Sequence, residues 1–217
     1  METHYKVLGD NGRAVNGGTG VWPLPHDGHP GAWLAVEPPL IPCTRGLHLC
    51  RREDLVSWLG PTIWRVEIAP EAERLVCKDK IVVSQARIVA RVTTWTERTA
   101  RLFAADCAEH ALKAEQGVGR EPDARSWAAV QAARDYAEGR LSDKARIAAR
   151  SAAWSAACAA ESAAWSAAWS AACAAESAAR IAARSAARNA AWSAAENGER
   201  AWQTDRLFTA YLLTGAP

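Results

Sequence analysis

The residue types best suited to chemistry fall in one short stretch of the chain, Cys43-x6-Cys50 with His48 inside it. Two thiolates and an imidazole are the ligand types that zinc takes, and an extended backbone would set His48 and Cys50 on one face. Cys43, His48 and Cys50 are therefore candidate metal ligands, with Cys77 downstream and no fourth ligand marked by spacing. The competing reading is a half-buried strand whose Leu47 and Leu49 enter a core. Arg45, Arg51 and Arg52 frame the same stretch, so Arg45, His48 and Arg51 are the candidate ligand-binding residues for an anion. Gly17-Gly18-Thr19-Gly20 could cradle a phosphate through its backbone, but it lacks the lysine and the strand–loop–helix setting of a P-loop and reads as a flexible turn. His26 and His29 lie among Pro, Asp and Gly and read as loop residues. No Ser-His-Asp grouping or pair of carboxylates stands out, so no catalytic residue is assigned.

The elements that must position these residues change character near Trp95. Eight of the ten prolines lie in the first 70 residues, and only Gly117, Gly119, Gly139, Gly198 and Gly215 follow position 95. Residues 1–95 thus read as a small mixed α+β domain, mainly antiparallel, and 96–217 as an all-α domain. Tyr5–Leu8 predicts a strand ended by the turn Gly9-Asp10-Asn11-Gly12, with a second strand starting near Ala14. Val21–Pro25 is broken by proline and reads as edge strand or loop. Arg52–Leu59 suits a short helix stopped by Gly60-Pro61. Ile63–Ile68 alternates, apolar at 64, 66 and 68, and Lys80–Arg91 supplies one or two further strands.

From Thr96 the period becomes helical. Thr96 is a plausible cap, and Ala100, Phe103, Cys107, Ala111 and Ala114 share a face up to Gly117, with His110 on the solvent side. Glu121-Pro122-Asp123 opens a second helix carrying Trp127, Val130, Arg134 and Ala137, and Ser142-Asp143 caps a third. Between Arg140 and Asn197 there is neither Gly nor Pro, and a C-terminal helix is expected over 199–213.

Within that tract, residues 151–165 read SAAWSAACAAESAAW and 166–180 read SAAWSAACAAESAAR, identical at fourteen of fifteen positions. Fifteen residues in four turns is about 3.75 per turn, above the 3.6 of a straight helix. A seam on that period drifts unless the helices twist right-handed around each other or the tract breaks into stacked helices. Alanine favours helix but buries little area, so Trp154, Trp165, Trp169 and Trp192 are expected to pack on other helices or a second chain.

Several short stretches resemble known families. Arg45–Cys50, with Asp54-Leu55, Trp58-Leu59-Gly60-Pro61 and Asp79-Lys80-Ile81-Val82, resembles an uncharacterised N-terminal domain in proteins of phages and actinobacteria. There a Gly-Leu-His-Leu-Cys type of strand recurs ahead of variable repeats. Arg101–His110, Ala132–Gly139 and Glu199–Leu207 are similar to Ala-rich helical proteins described as putative immunity proteins. The resemblance implies a setting of phage–host or toxin–immunity conflict and no mechanism.

Charge and composition narrow the field further. Lys and Arg number 26 against 24 Asp and Glu, a net charge of +2 that gives no strong pull toward nucleic acid. No run of apolar residues is long enough for a membrane span, and METHYKVLGDNGRAV has no apolar core of a signal peptide. Six scattered cysteines, two at equivalent repeat positions, fit a reduced, cytoplasmic protein. The expected function is a non-enzymatic interaction or scaffold protein, with a protein partner or self-association through the Ala/Trp array. The alternative is an enzyme or nucleotide-binding protein using a pocket near Arg45, His48 and Cys50; no cofactor is assigned, and a zinc-stabilised N-terminal domain would fit either reading.

Overall fold

The computed structural model describes residues 2–117, 119, 121–142, 144, 145, 147–149, 151 and 198–213. The 151–180 repeat beyond Ser151, and with it Trp154, Trp165, Trp169 and Trp192, lies outside the described residues, as does the choice between a right-handed coiled coil and stacked helices. The protein is mixed α+β, with antiparallel sheets and helices. It divides into two compact units, Met1–Trp95 and Thr96–Pro217. Among the described residues no helix is long and apolar enough to cross a membrane.

The first unit holds two antiparallel sheets. One contains β1 (His4–Leu8), β4 (Thr62–Ile68), β7 (Gln85–Arg91) and β2 (Leu34–Ala35), in that spatial order. The other contains β3 (Leu47–Leu49), β6 (Ile81–Val83) and β5 (Arg74–Val76). Alternation on β4 sends Trp64 and Val66 inward and leaves Arg65 and Glu67 exposed, while Ile81, Val82 and Val83 on the central strand β6 are all buried. Leu8, Leu47, Leu49, Trp64, Val66, Ile81, Val83 and Ile88 form one core. Two buried indoles of this unit have polar partners: Trp64 Nε1 donates to Thr62 Oγ1 at 2.7 Å and Trp95 Nε1 to the Gly60 carbonyl at 2.9 Å. A 3-10 helix, Leu55–Trp58, stands where a short helix is expected. Near Ala14 there is no second strand, only single bridges from Leu8 to Ala14 and from Arg13 to Val21. The glycine loop that follows curls the chain away before a ladder can extend.

Two backbone contacts set the position of β3. Tyr5 and Cys50 exchange both N–H···O bonds at 2.8 Å, which ties the end of β3 to β1. Gly46 enters β3 at φ +131°, and a Cβ there would meet Val82 Cγ1 at 2.3 Å, so only glycine lets β3 approach β6.

The second unit is built from α1 (Glu97–Gly117), α2 (Ala124–Ala137) and, after the tract outside the described residues, α3 (Glu199–Leu207). Thr96 and Thr99 cap α1 reciprocally, each hydroxyl accepting from the other's backbone N–H at 3.2 and 2.8 Å. Asp123 caps α2 by accepting from Arg125 N at 2.8 Å. Ala104, Ala105, Ala108 and Leu112 pack on Ala129, Val130 and Ala133, so methyl-sized spacers bring the two helices together. The apolar face of α1 differs from the expected one at its end, where Leu112 is buried and Ala114 is exposed. The larger side chain one half-turn earlier takes the contact. Beyond α3 the expected helix over 199–213 widens into a π-helical turn, Phe208–Leu212, with Leu213 N donating to Phe208 O at 2.9 Å.

Candidate functional site

A cleft of about 500 Å³ opens in the first unit. Its walls bring together Lys6 of β1, the loop Asn16–Gly20 with Trp22, Cys43 and Thr44, the β3 segment Gly46–Cys50, Trp58, and Lys80 at the entrance to β6. A volume in this range is typical of small-molecule sites. The Tyr5–Cys50 bridge sets Lys6 beside β3, and Lys6 Nζ donates to the His48 carbonyl at 2.8 Å. It also lies 5.2 Å from the centroid of the Trp22 ring, within cation–π range. Lys80 stands in a similar relation to Trp58, with Nζ 5.0 Å from the ring centroid, and it reaches Asp79 Oδ1 at 3.2 Å.

The electrostatics are one-sided. Two lysines line the cleft and no Asp or Glu does. Burial pushes Lys6 down to about 8, with Cys50 opposing the shift. Burial also pulls Lys80 down, but the hydrogen bonds and charges of Asp79 and Cys43 outweigh it and leave Lys80 raised. Burial, and then the positive charges of Lys6 and Lys80, hold the His48 imidazole low against the raising effect of its hydrogen bond to the Gly46 backbone. His48 Nε2 accepts the backbone N–H of Cys43 at 2.8 Å, which suits a neutral ring. The Cys50 thiol, buried, is pushed up to about 12 and is a poor nucleophile near neutrality.

The glycine loop adds donors. Gly20 O accepts from Ala14 N at 2.7 Å and closes the loop. Among the described residues no backbone carbonyl accepts from the N–H groups of Gly17, Gly18 or Thr19. Gly17 has φ +88°, and a Cβ at either Gly17 or Gly20 would point into open space. Backbone amides exposed in such a turn are anion-binding groups.

Cys43, His48 and Cys50 do come to one cleft, as expected of a shared site. Among the described residues, however, no group of three or more His, Cys, Asp or Glu side chains is arranged to hold a metal ion. Arg45 and Arg51 are not among the lining residues. Arg45 is exposed, and Arg51 is turned to Asp54, donating from Nε at 2.6 Å and from an Nη at 2.9 Å, with a further bond to Cys77 O at 3.2 Å. Asp54 is buried, so this fork is a structural pair. The cations that do line the cleft, Lys6 and Lys80, are each embedded in or beside an apolar run, Tyr5–Leu8 and Ile81–Val83. A lone charge inside a strand of buried residues is the signal that marks Lys6, whereas Lys80 closes the charged run Lys78-Asp79-Lys80 and has no such mark.

A second charged cluster lies in the Thr96–Pro217 unit. Asp106 of α1 accepts from Arg134 of α2 at 2.9 Å, from Arg206 of α3 at 2.9 Å and from the Tyr211 hydroxyl at 2.5 Å. Glu109, one turn on, pairs with Arg134 and with Lys113. His110, expected on the solvent side, instead stacks on Trp202 with centroids 3.8 Å apart, and its Nδ1 lies 2.5 Å from a Glu199 carboxylate oxygen. Helix periodicity marks the apolar stripe but not the polar partner that arrives from a distant element. No family model, curated protein or solved structure matches this chain.

Proposed function

We propose that the N-terminal unit is a binding module for a small anionic ligand, carried by a non-enzymatic interaction protein. The observation behind this reading is the lining of the cleft: Lys6, Lys80 and the loop Gly17–Thr19, whose amides have no backbone acceptor among the described residues, border one space that no carboxylate lines. Phosphate oxygens are the acceptors best matched to two ammonium groups and a run of backbone N–H groups. Trp58, half-buried in the wall, supplies apolar surface on which a flat or aliphatic ligand body could rest. Titrating the full chain with inorganic pyrophosphate by calorimetry tests the reading. Saturable binding that is lost in the K6M/K80M variant is expected, and absence of heat in the wild-type protein overturns it.

The Ala/Trp array is the interaction part of the proposal, through Trp154, Trp165, Trp169 and Trp192. It would mediate self-association or hold a protein partner. Light scattering of the purified chain should then report more than one chain per particle. A strict monomer with these indoles shielded from quenchers would remove self-association. The role in phage–host or toxin–immunity conflict belongs to this proposal on the strength of the short motifs quoted above.

A further inference from the structure

We infer that Lys6 is an amine nucleophile and that the ligand class of the cleft is a phosphorylated carbonyl compound, captured reversibly as an imine. This inference rests on the anion-binding reading of the same cleft and adds a covalent step to it.

The geometry supplies three parts. First, Lys6 projects from β1 into a cavity of about 500 Å³, and its hydrogen bond to the His48 carbonyl fixes the direction of Nζ at 2.8 Å. That bond needs only one N–H and survives loss of the ammonium proton. Second, no carboxylate lines the cleft to hold Lys6 as a salt-bridged cation, and the amine is buried beside the Trp22 ring. An amine in such surroundings sheds its proton more readily than one in water. Lys6, pushed down to about 8, is neutral in roughly a tenth of molecules at pH 7, against well under a hundredth for an ordinary lysine. Third, the electrophile's phosphate has its own seat, the amides of Gly17–Thr19 and the Lys80 ammonium, so the carbonyl end is free to approach Lys6. Of the other nucleophile types on the wall, the free Cys43 thiol gives a carbonyl only a hemithioacetal, with no C=N bond, and Lys80 is held as a cation by Asp79. Cys50 is held as the thiol and His48 Nε2 is engaged by Cys43 N–H.

The Nζ lone pair adds to the carbonyl carbon, the C=O π pair moves to oxygen, and a proton passes from nitrogen to that oxygen to give a carbinolamine. Loss of its hydroxyl as water, with the second amine proton leaving, forms the C=N bond. One amine and one carbonyl give one imine and one water, with no change in oxidation state.

The test uses the full chain and pyridoxal 5′-phosphate as probe, with pyridoxal as its phosphate-free counterpart. Borohydride then reduces any imine to a stable secondary amine, and peptide mapping locates it among Lys6, Lys78, Lys80, Lys113 and Lys144. The expected result is one adduct, on Lys6, formed about tenfold faster with the phosphorylated aldehyde and slowed by inorganic pyrophosphate. K6R, which keeps the cation, should still bind the probe in calorimetry and yield no adduct; K80M should keep the Lys6 adduct but lose the phosphate preference. Saturable binding of the probe without a Lys6 adduct overturns the inference and leaves the anion-binding reading standing. Equal labelling of Lys6 by both aldehydes, without competition by pyrophosphate, overturns the assigned ligand class and the anion-binding reading with it.

Discussion

The cleft of the first unit and the Asp106 cluster of the second are built from the same kinds of side chain and end in opposite states. Around Asp106 every charge meets another: Arg134, Arg206 and Tyr211 converge on one carboxylate, and Glu109 takes what Arg134 has left. Among the described residues around Lys6, the cations are answered by a carbonyl, by ring faces and, for Lys80, by Asp79 and Cys43, while the amides of Gly17, Gly18 and Thr19 have no backbone acceptor. A satisfied cluster holds helices together. A cluster left short of acceptors is a place for an acceptor to arrive. Composition alone cannot distinguish the two, because the difference lies in which partner each charge finds across the fold.

The comparison can be broken first at Asp106. D106A removes the acceptor shared by Arg134, Arg206 and Tyr211 and should cost about 3 kcal/mol in denaturant unfolding followed by helical signal, less than a fully buried pair because Arg206 is partly exposed. Its anion binding in the N-terminal unit should be unchanged. A loss under about half a kcal/mol would mean that the cluster is a surface ornament rather than a clasp.

K6M/K80M should do the reverse, weakening pyrophosphate binding about a hundredfold with little change in unfolding midpoint. If the double variant unfolds instead, the lysines belong with the Asp106 type of cluster and the contrast between the two regions collapses.

A smaller effect comes from pH. Lys6 falls from 10.5 to about 8 in the folded chain, chiefly through burial. Below pH 8 the group is charged in both states and folding carries the full cost of burying it. Between 8 and 10.5 the folded chain releases the proton while the unfolded one keeps it, so stability rises through that window. Cys50 acts oppositely from pH 9 upward, since its thiol ionises in the unfolded chain but stays protonated to about 12 when folded. Denaturation of wild type and K6M, from about pH 7 to about pH 9, isolates the lysine. Wild type should gain on K6M as pH rises.

The smallest expected effect is at Gly17. G17A meets no atom within 4 Å but must hold φ +88°, costing about 1 kcal/mol of backbone strain. Binding should fall severalfold as the loop relaxes, and calorimetry on the variant would detect it.

Strands and helices with a single clear period are legible in the residues themselves. Trp64–Ile68 alternates because β4 is wet at Arg65 and Glu67, and α1 keeps its stripe because one face meets α2. The strands that escape this reading have no period to show: Arg74–Val76 is exposed throughout, and Leu34–Ala35 is two residues long. The site is half legible. His48 and Cys50 follow from the strand they sit on, whereas Lys6 and Lys80 reach the cleft through the register of two sheets. Arg51 illustrates the opposite error, a cation beside the right strand whose side chain is spoken for by Asp54, three residues on.

The bond from Asp106 to Arg206 joins residues a hundred positions apart and brackets the Ala/Trp tract. Asp106 of α1 is thereby bonded both by Arg134 of α2, which precedes that tract, and by Arg206 of α3, which follows it. Copies of the 15-residue unit can in this arrangement be gained or lost by gene slippage without touching a residue of the anchor. The near-identity of 151–165 and 166–180 is what recent duplication would leave behind. Repeat number then becomes a dial that selection can turn separately from the residues around Asp106.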